Sequence, residues 1–121
     1  MTVARSAIGF AAVGVLTTLT HVCVATLLVE LLGARPPVAN GVAFVVATLL
    51  SYVANTRWSF KAQLGVATAW RFALVAGAAG FMGISIAWLV EQAGGHYGLG
   101  IALVVLVVPA FSFIGHRLFT Y

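Results

Sequence analysis

The chain has 121 residues, 63% of them hydrophobic and only 7% charged, with a mean hydropathy of +1.14. A water-soluble domain carries about a quarter charged residues to cover its surface, so this composition excludes one and points to a membrane protein of single-domain size. Only Glu30 and Glu91 oppose six Lys and Arg, and the resulting +4 charge suits anionic lipid head groups or a phosphate-bearing ligand, not nucleic acid.

The first apolar run, 6–32, is long enough to span a bilayer with tilt. Arg5 precedes it, but the run is too long for a signal-peptide core and lacks a small-x-small cleavage site, so it reads as an uncleaved first helix. Cys23 within it is the sole cysteine, which excludes an intrachain disulfide; a thiol in a span packs as a small apolar group. Gly33-Ala-Arg-Pro-Pro37 is a turn whose prolines suit a helix start. The second helix is expected over 38–58, the third over 70–92 and the fourth over 99–118, with a polar connection at 59–69 and a glycine-rich turn at 93–98. The fold class is therefore all-α, with four transmembrane helices in a single domain, 1–121.

Arg5, Arg57, Lys61, Arg71 and Arg117 fall on one side of this topology, and Arg35 alone on the other. The positive-inside rule then places both termini in the cytoplasm. Arg5 precedes Gly14 by the same spacing that separates Arg71 from Gly80, and Arg57-Trp58-Ser59-Phe60 is echoed by Arg117-Leu118-Phe119. Two readings fit: a parallel repeat of a two-helix unit, or chance likeness between apolar helices.

Polar side chains within spans default to roles facing protein, because hydrocarbon leaves them unsatisfied. Thr48, Ser51, Tyr52, Asn55 and Ser59 share one face of the second helix. Asn40 and Asn55 bracket that helix, and His21 lies near the middle of the first. Each reads either as a ligand contact or as an interhelical hydrogen bond. Arg57 and Arg117 end two helices, where planar guanidinium forks suit bidentate phosphate binding, with Lys61, Arg71 and His116 as further phosphate contacts. Topology and snorkelling explain such cations equally well. Ala73/Gly77, Ala76/Gly80 and Ala79/Gly83 are small-xxx-small pairs in the third helix, and Pro109 interrupts the fourth. No paired carboxylates, nucleophile–base pattern, metal-ligand spacing or phosphate-binding glycine loop occurs, so neither an enzyme nor a bound cofactor is expected.

Ser51-Tyr-Val-Ala-Asn55-Thr-Arg57-Trp-Ser-Phe60-Lys-Ala62 resembles the Asn-x-basic-aromatic-x-Phe pattern of the GtrA-like family, small four-helix membrane proteins. Ala39-Asn40-Gly-Val-Ala-Phe44, Trp70-Arg71-Phe72, Gly80-Phe-Met-Gly83 and His21 also match, whereas the closing His116-Arg117-Leu118-Phe119 departs from the usual basic-aromatic-x-Phe. The resemblance implies a flippase for a polyprenyl-phosphate-linked monosaccharide, with glucose the expected sugar, serving O-antigen modification from a bacterial cytoplasmic membrane. It further implies that Arg57 and Arg117 meet the phosphate, that Asn55, Asn40 and His21 meet the sugar, and that a membrane glycosyltransferase uses the product. Four helices enclose little space, so a homo-oligomer is expected. The competing expectation is a non-transporting anchor that recruits a glycosyltransferase through Arg57–Arg71. A proton-coupled drug exporter fits less well, since Glu30 lies near the end of its span.

Overall fold

Helices account for nearly all of the chain in a computed structural model that describes residues 2–121. α1 spans Val3–Leu32, α2 Pro36–Ala54, α3 Val66–Gln92 and α4 Tyr97–Gly115. α2 continues into a π-helical turn at Asn55–Ser59, and α4 into another at His116–Thr120. With these turns included, all four helices are long and apolar enough to cross a membrane, and there is no strand among the described residues. A continuous helix satisfies every backbone group inside its own segment, as hydrocarbon demands.

The chain divides into two compact units, Met1–Leu64 and Gly65–Tyr121, each a helical hairpin closed by its π-turn. In the first unit, the Thr2 hydroxyl accepts from the Arg5 amide at 3.2 Å and starts α1 ahead of the expected Ser6. Gly33 ends α1 with φ +66, and the Gly33 and Ala34 amides both donate to the Leu28 carbonyl. Pro36 and Pro37 then occupy the first turn of α2, where no amide is needed. In the second unit, α3 begins at Val66, so Arg71 lies inside a helix and not at its start. His96 caps α4, its Nδ1 accepting from the Gly98 amide at 2.9 Å. Pro109 is accommodated inside α4 without ending it.

Both hairpins follow one plan. The buried positions of α1, Ser6 and Val13, match the buried Phe72 and Ala79 of α3 at a constant separation, with Gly9 matching Val75. Ala39 of α2 matches Gly100 of α4, and at that same separation Asn55 matches His116 and Ser59 matches Thr120, all buried. Each π-turn closes on the same wide ring: Phe60 N–H donates to Asn55 O at 2.9 Å, and Tyr121 N–H to His116 O at 2.8 Å. This register sets Thr56 against Arg117 and Arg57 against Leu118. The two arginines thus stand one position apart in the repeat, and the sequence echo between Arg57-Trp58 and Arg117-Leu118 is out of step.

Size is exchanged across each hairpin where its helices approach most closely. A Cβ on Gly9 would lie 3.1 Å from Ser59 Oγ and 3.2 Å from Ser59 Cα. In the second unit Val75 fills the position of Gly9, and Gly115 gives up the methyl that Ala54 carries, so that a Cβ there would meet Val75 Cγ1 at 2.9 Å. Of the small-xxx-small pairs in α3, Ala79/Gly83 lies on the face toward α4, with Gly83 opposite Val104 and Val108. Gly77 and Gly80 have open space around them.

Gly9→Val should therefore destabilise the detergent-solubilised protein by about 1–3 kcal/mol through overpacking. Gly14→Ala, where a Cβ meets nothing within 4 Å, should leave the unfolding midpoint unchanged or raise it.

Candidate functional site

Two sequence-predicted site residues, widely separated in the chain, meet directly in the first hairpin. His21 Nε2 lies 3.3 Å from Asn40 Oδ1, linking the middle of α1 to the first turns of α2. Asn40 Nδ2 donates to the Pro36 carbonyl at 2.8 Å, which fixes the amide so that its oxygen faces the imidazole. An amide oxygen only accepts, so the contact selects the tautomer with its proton on Nε2, in which Nδ1 is an acceptor.

Beside His21 is a groove of about 300 Å³ between α1 and α2, lined by Thr17, Thr18, His21, Val22, Phe44, Ala47, Thr48 and Ser51. It is at the small end of ligand-site volumes, ~300–1,000 Å³. Thr17 and Thr18 both donate their hydroxyl protons to the Gly14 carbonyl, at 3.1 and 2.8 Å, and turn their oxygens outward as acceptors. Below the groove the polar line continues inside α2. Asn55 Nδ2 donates to Ser51 Oγ at 3.1 Å, and Ser59 Oγ donates to Asn55 Oδ1 at 2.8 Å. A polar track therefore runs the length of the first hairpin, from Asn40 by its turn to Ser59 on Gly9.

Asn55 is 1% exposed, and its amide is occupied by the two serines, so it holds the π-turn and is enclosed by protein. His116, expected at the surface as a phosphate contact, is also buried. It stacks on Phe72 with ring centroids 4.3 Å apart and an interplanar angle of 13°, and its Nδ1 is 2.9 Å from Thr120 Oγ1. The i, i+4 spacing that made His116 resemble a ligand-facing position is the spacing that lets it bond Thr120 within its own turn.

The cations lie at the π-turn ends, exposed: Arg57 and Lys61 in the first unit, Arg71 and Arg117 in the second. Lys61 takes a left-handed conformation, φ +52, that turns the chain away after Phe60. Arg71 lies over the rings of Trp70 and Phe119, 5.5 and 5.8 Å from their centroids, and the two rings pack edge to face. Aromatic rings gathered around a cation in this way belong to the membrane–water boundary.

Sequence reading missed Thr17, Thr18 and Thr48 as parts of one groove, although threonines on α1 and the polar stripe on α2 are visible; only the pairing of the helices brings them together. The matching groove in the second unit, about 550 Å³, is lined by Gly83, Ile84, Ala87, Ile101 and Val105 among others. These stand at the positions of Thr17, Thr18, His21, Asn40 and Phe44. At these matched positions the first unit's groove is polar and the second's is apolar, although Glu91 and Tyr97 also line the second groove toward its turn.

A model of the GtrA/DPMS transmembrane domain matches residues 9–121, and the chain belongs to that family of membrane domains. Within it, the chain is similar to a bactoprenol-linked glucose translocase of Shigella phage SfV. The two are 32% identical over 83 residues, covering 69% of this chain and 67% of that protein. No solved structure matches.

A double-mutant cycle on Asn55→Ala and Ser59→Ala, read by unfolding in detergent, should give a coupling of about 0.6 kcal/mol, within the ~1.7 kcal/mol ceiling seen for membrane hydrogen bonds. No coupling would mean that the π-turn is not held by this pair.

Proposed function

We propose that the protein moves a polyprenyl-phosphate-linked monosaccharide, glucose by analogy with its relative, from the cytoplasmic to the outer leaflet of a bacterial cytoplasmic membrane. The observation that carries this reading is the groove between α1 and α2, whose threonine, serine and histidine side chains stand in a region where polar groups are otherwise costly. A lipid-linked sugar needs no more than that. Its isoprenoid tail stays in hydrocarbon throughout, and only the head requires hydrogen-bonding partners on the way across. The activity named for the relative supports the same substrate class.

In this reading both termini are cytoplasmic, following the excess of cations at the π-turn ends. Arg57 and Arg117 are the phosphate contacts, since their guanidinium groups are exposed at head-group depth, and Lys61 and Arg71 add to the attraction. His21 and Asn40 meet the sugar, while Asn55 and His116 act by holding their turns. The protein is a transporter and not an enzyme. It works as a homo-oligomer, and a membrane glycosyltransferase consumes the delivered sugar to modify a cell-surface polysaccharide such as O-antigen.

Reconstitution with polyprenyl-phosphate glucose tests this directly. Head-group accessibility should change faster than in protein-free vesicles, and equal rates would overturn the proposal in favour of a glycosyltransferase anchor. Arg57→Ala, inserted normally, should lower the rate about ten-fold or more, since hydrogen bonds to charged groups are worth about 1.5–3 kcal/mol.

A further inference from the structure

We propose that the α1/α2 groove is a subsite for an uncharged, hydroxyl-rich sugar ring, and that the phosphate of the same lipid stays outside it. The inference deepens the proposed function and rests on it for the identity of the lipid.

The lining makes the distinction. Thr17, Thr18, His21, Thr48 and Ser51 provide all the polar character of the groove, and neither a cation nor a carboxylate contributes to it. An anion at this depth would have no counter-charge, and in hydrocarbon that costs several kcal/mol. Hydrogen-bond inventory points the same way. Thr17 and Thr18 have spent their protons on Gly14 O, and His21 has turned its N–H toward Asn40, so the oxygens of the two threonines and Nδ1 of the histidine remain as acceptors. A sugar hydroxyl donates to such groups. An ionised phosphodiester only accepts, and of the lining groups only the Thr48 and Ser51 hydroxyls have protons to offer it, with no counter-charge beside them. A uronate keeps its ring hydroxyls, but its carboxylate would lie there without a counter-charge and facing acceptors.

The second unit supplies the internal control. Its hairpin packs on the same plan with Gly83, Ile84, Ala87 and Ile101 in place of Thr17, Thr18, His21 and Asn40. Polarity at these positions is therefore not needed to fold a hairpin of this kind. In the first unit it is a cost in hydrocarbon that a ligand offsets.

Binding and transport, measured separately on the full chain, test the proposal. Purified protein should bind polyprenyl-phosphate glucose about ten-fold more tightly than polyprenyl-phosphate glucuronate. Thr17→Val with Thr48→Val should narrow that preference, by the loss of about 0.5–1.5 kcal/mol per hydrogen bond, and leave only the uncompensated charge to disfavour the glucuronate. Thr17→Ser with Thr48→Ser retains both hydroxyls and should keep the preference, which separates lost hydrogen bonding from misfolding. Equal binding of the two lipids by the wild type, or an unchanged preference in the valine variant, would overturn the subsite. Preferential binding without transport would overturn the translocase reading and leave the subsite standing. Transport with an unaffected valine variant would do the reverse.

Discussion

Hydrocarbon offers no partner to a polar group, and the rest of this structure follows from how each hairpin meets that constraint. In the first unit the Asn55 amide is closed between Ser51 and Ser59, and Ser59 in turn sits against Gly9, where any side chain would block the approach. The wide π-turn suits this arrangement, because it brings residues four apart nearly into line and moves the exposed Arg57 to the helix end. In the second unit His116 and Thr120 do the same work, with Phe72 stacked on the imidazole. Both hairpins thus finish in a buried polar pair that fixes where the terminal cations emerge.

From this common base the units diverge. The first keeps hydrogen-bonding side chains along its helix–helix seam and opens them to a groove. The second has Gly83, Ile84, Ala87 and Ile101 at the positions of Thr17, Thr18, His21 and Asn40, and gathers Trp70, Arg71 and Phe119 at its end. The two units thus differ in polarity at matched seam positions.

Much of the fold was legible because apolar runs of spanning length and the prolines and glycines between them leave few alternatives. The polar stripe Ser51–Asn55–Ser59 was legible too, since its spacing puts the residues on one face. Its use was not. A spacing of four serves a ligand-facing stripe and a self-satisfied ladder equally well, and only packing against Gly9 decides between them. The π-turns were hidden for the same reason, and the shift of Arg117 against Arg57 came with them. His21 and Asn40 were each visible as polar residues in apolar helices, but their meeting depends on hairpin register, which no periodicity within one helix encodes. The amino-terminal start of α1 was missed because Thr2 caps it from outside the apolar run.

The central claim is that the first hairpin, and not the second, carries a polar path across the bilayer core. Cys23 is the only cysteine, so a Cys23→Ala background allows single thiols to be placed at Thr17 or Thr48, and at the matching Gly83 or Pro109. Labelling of membrane-embedded protein with a charged, water-soluble thiol reagent then reads access to each position. The account predicts reaction at 17 and 48, slowed by polyprenyl-phosphate glucose, and no reaction at 83 and 109. Equal labelling of both pairs, or none at 17 and 48, would contradict it.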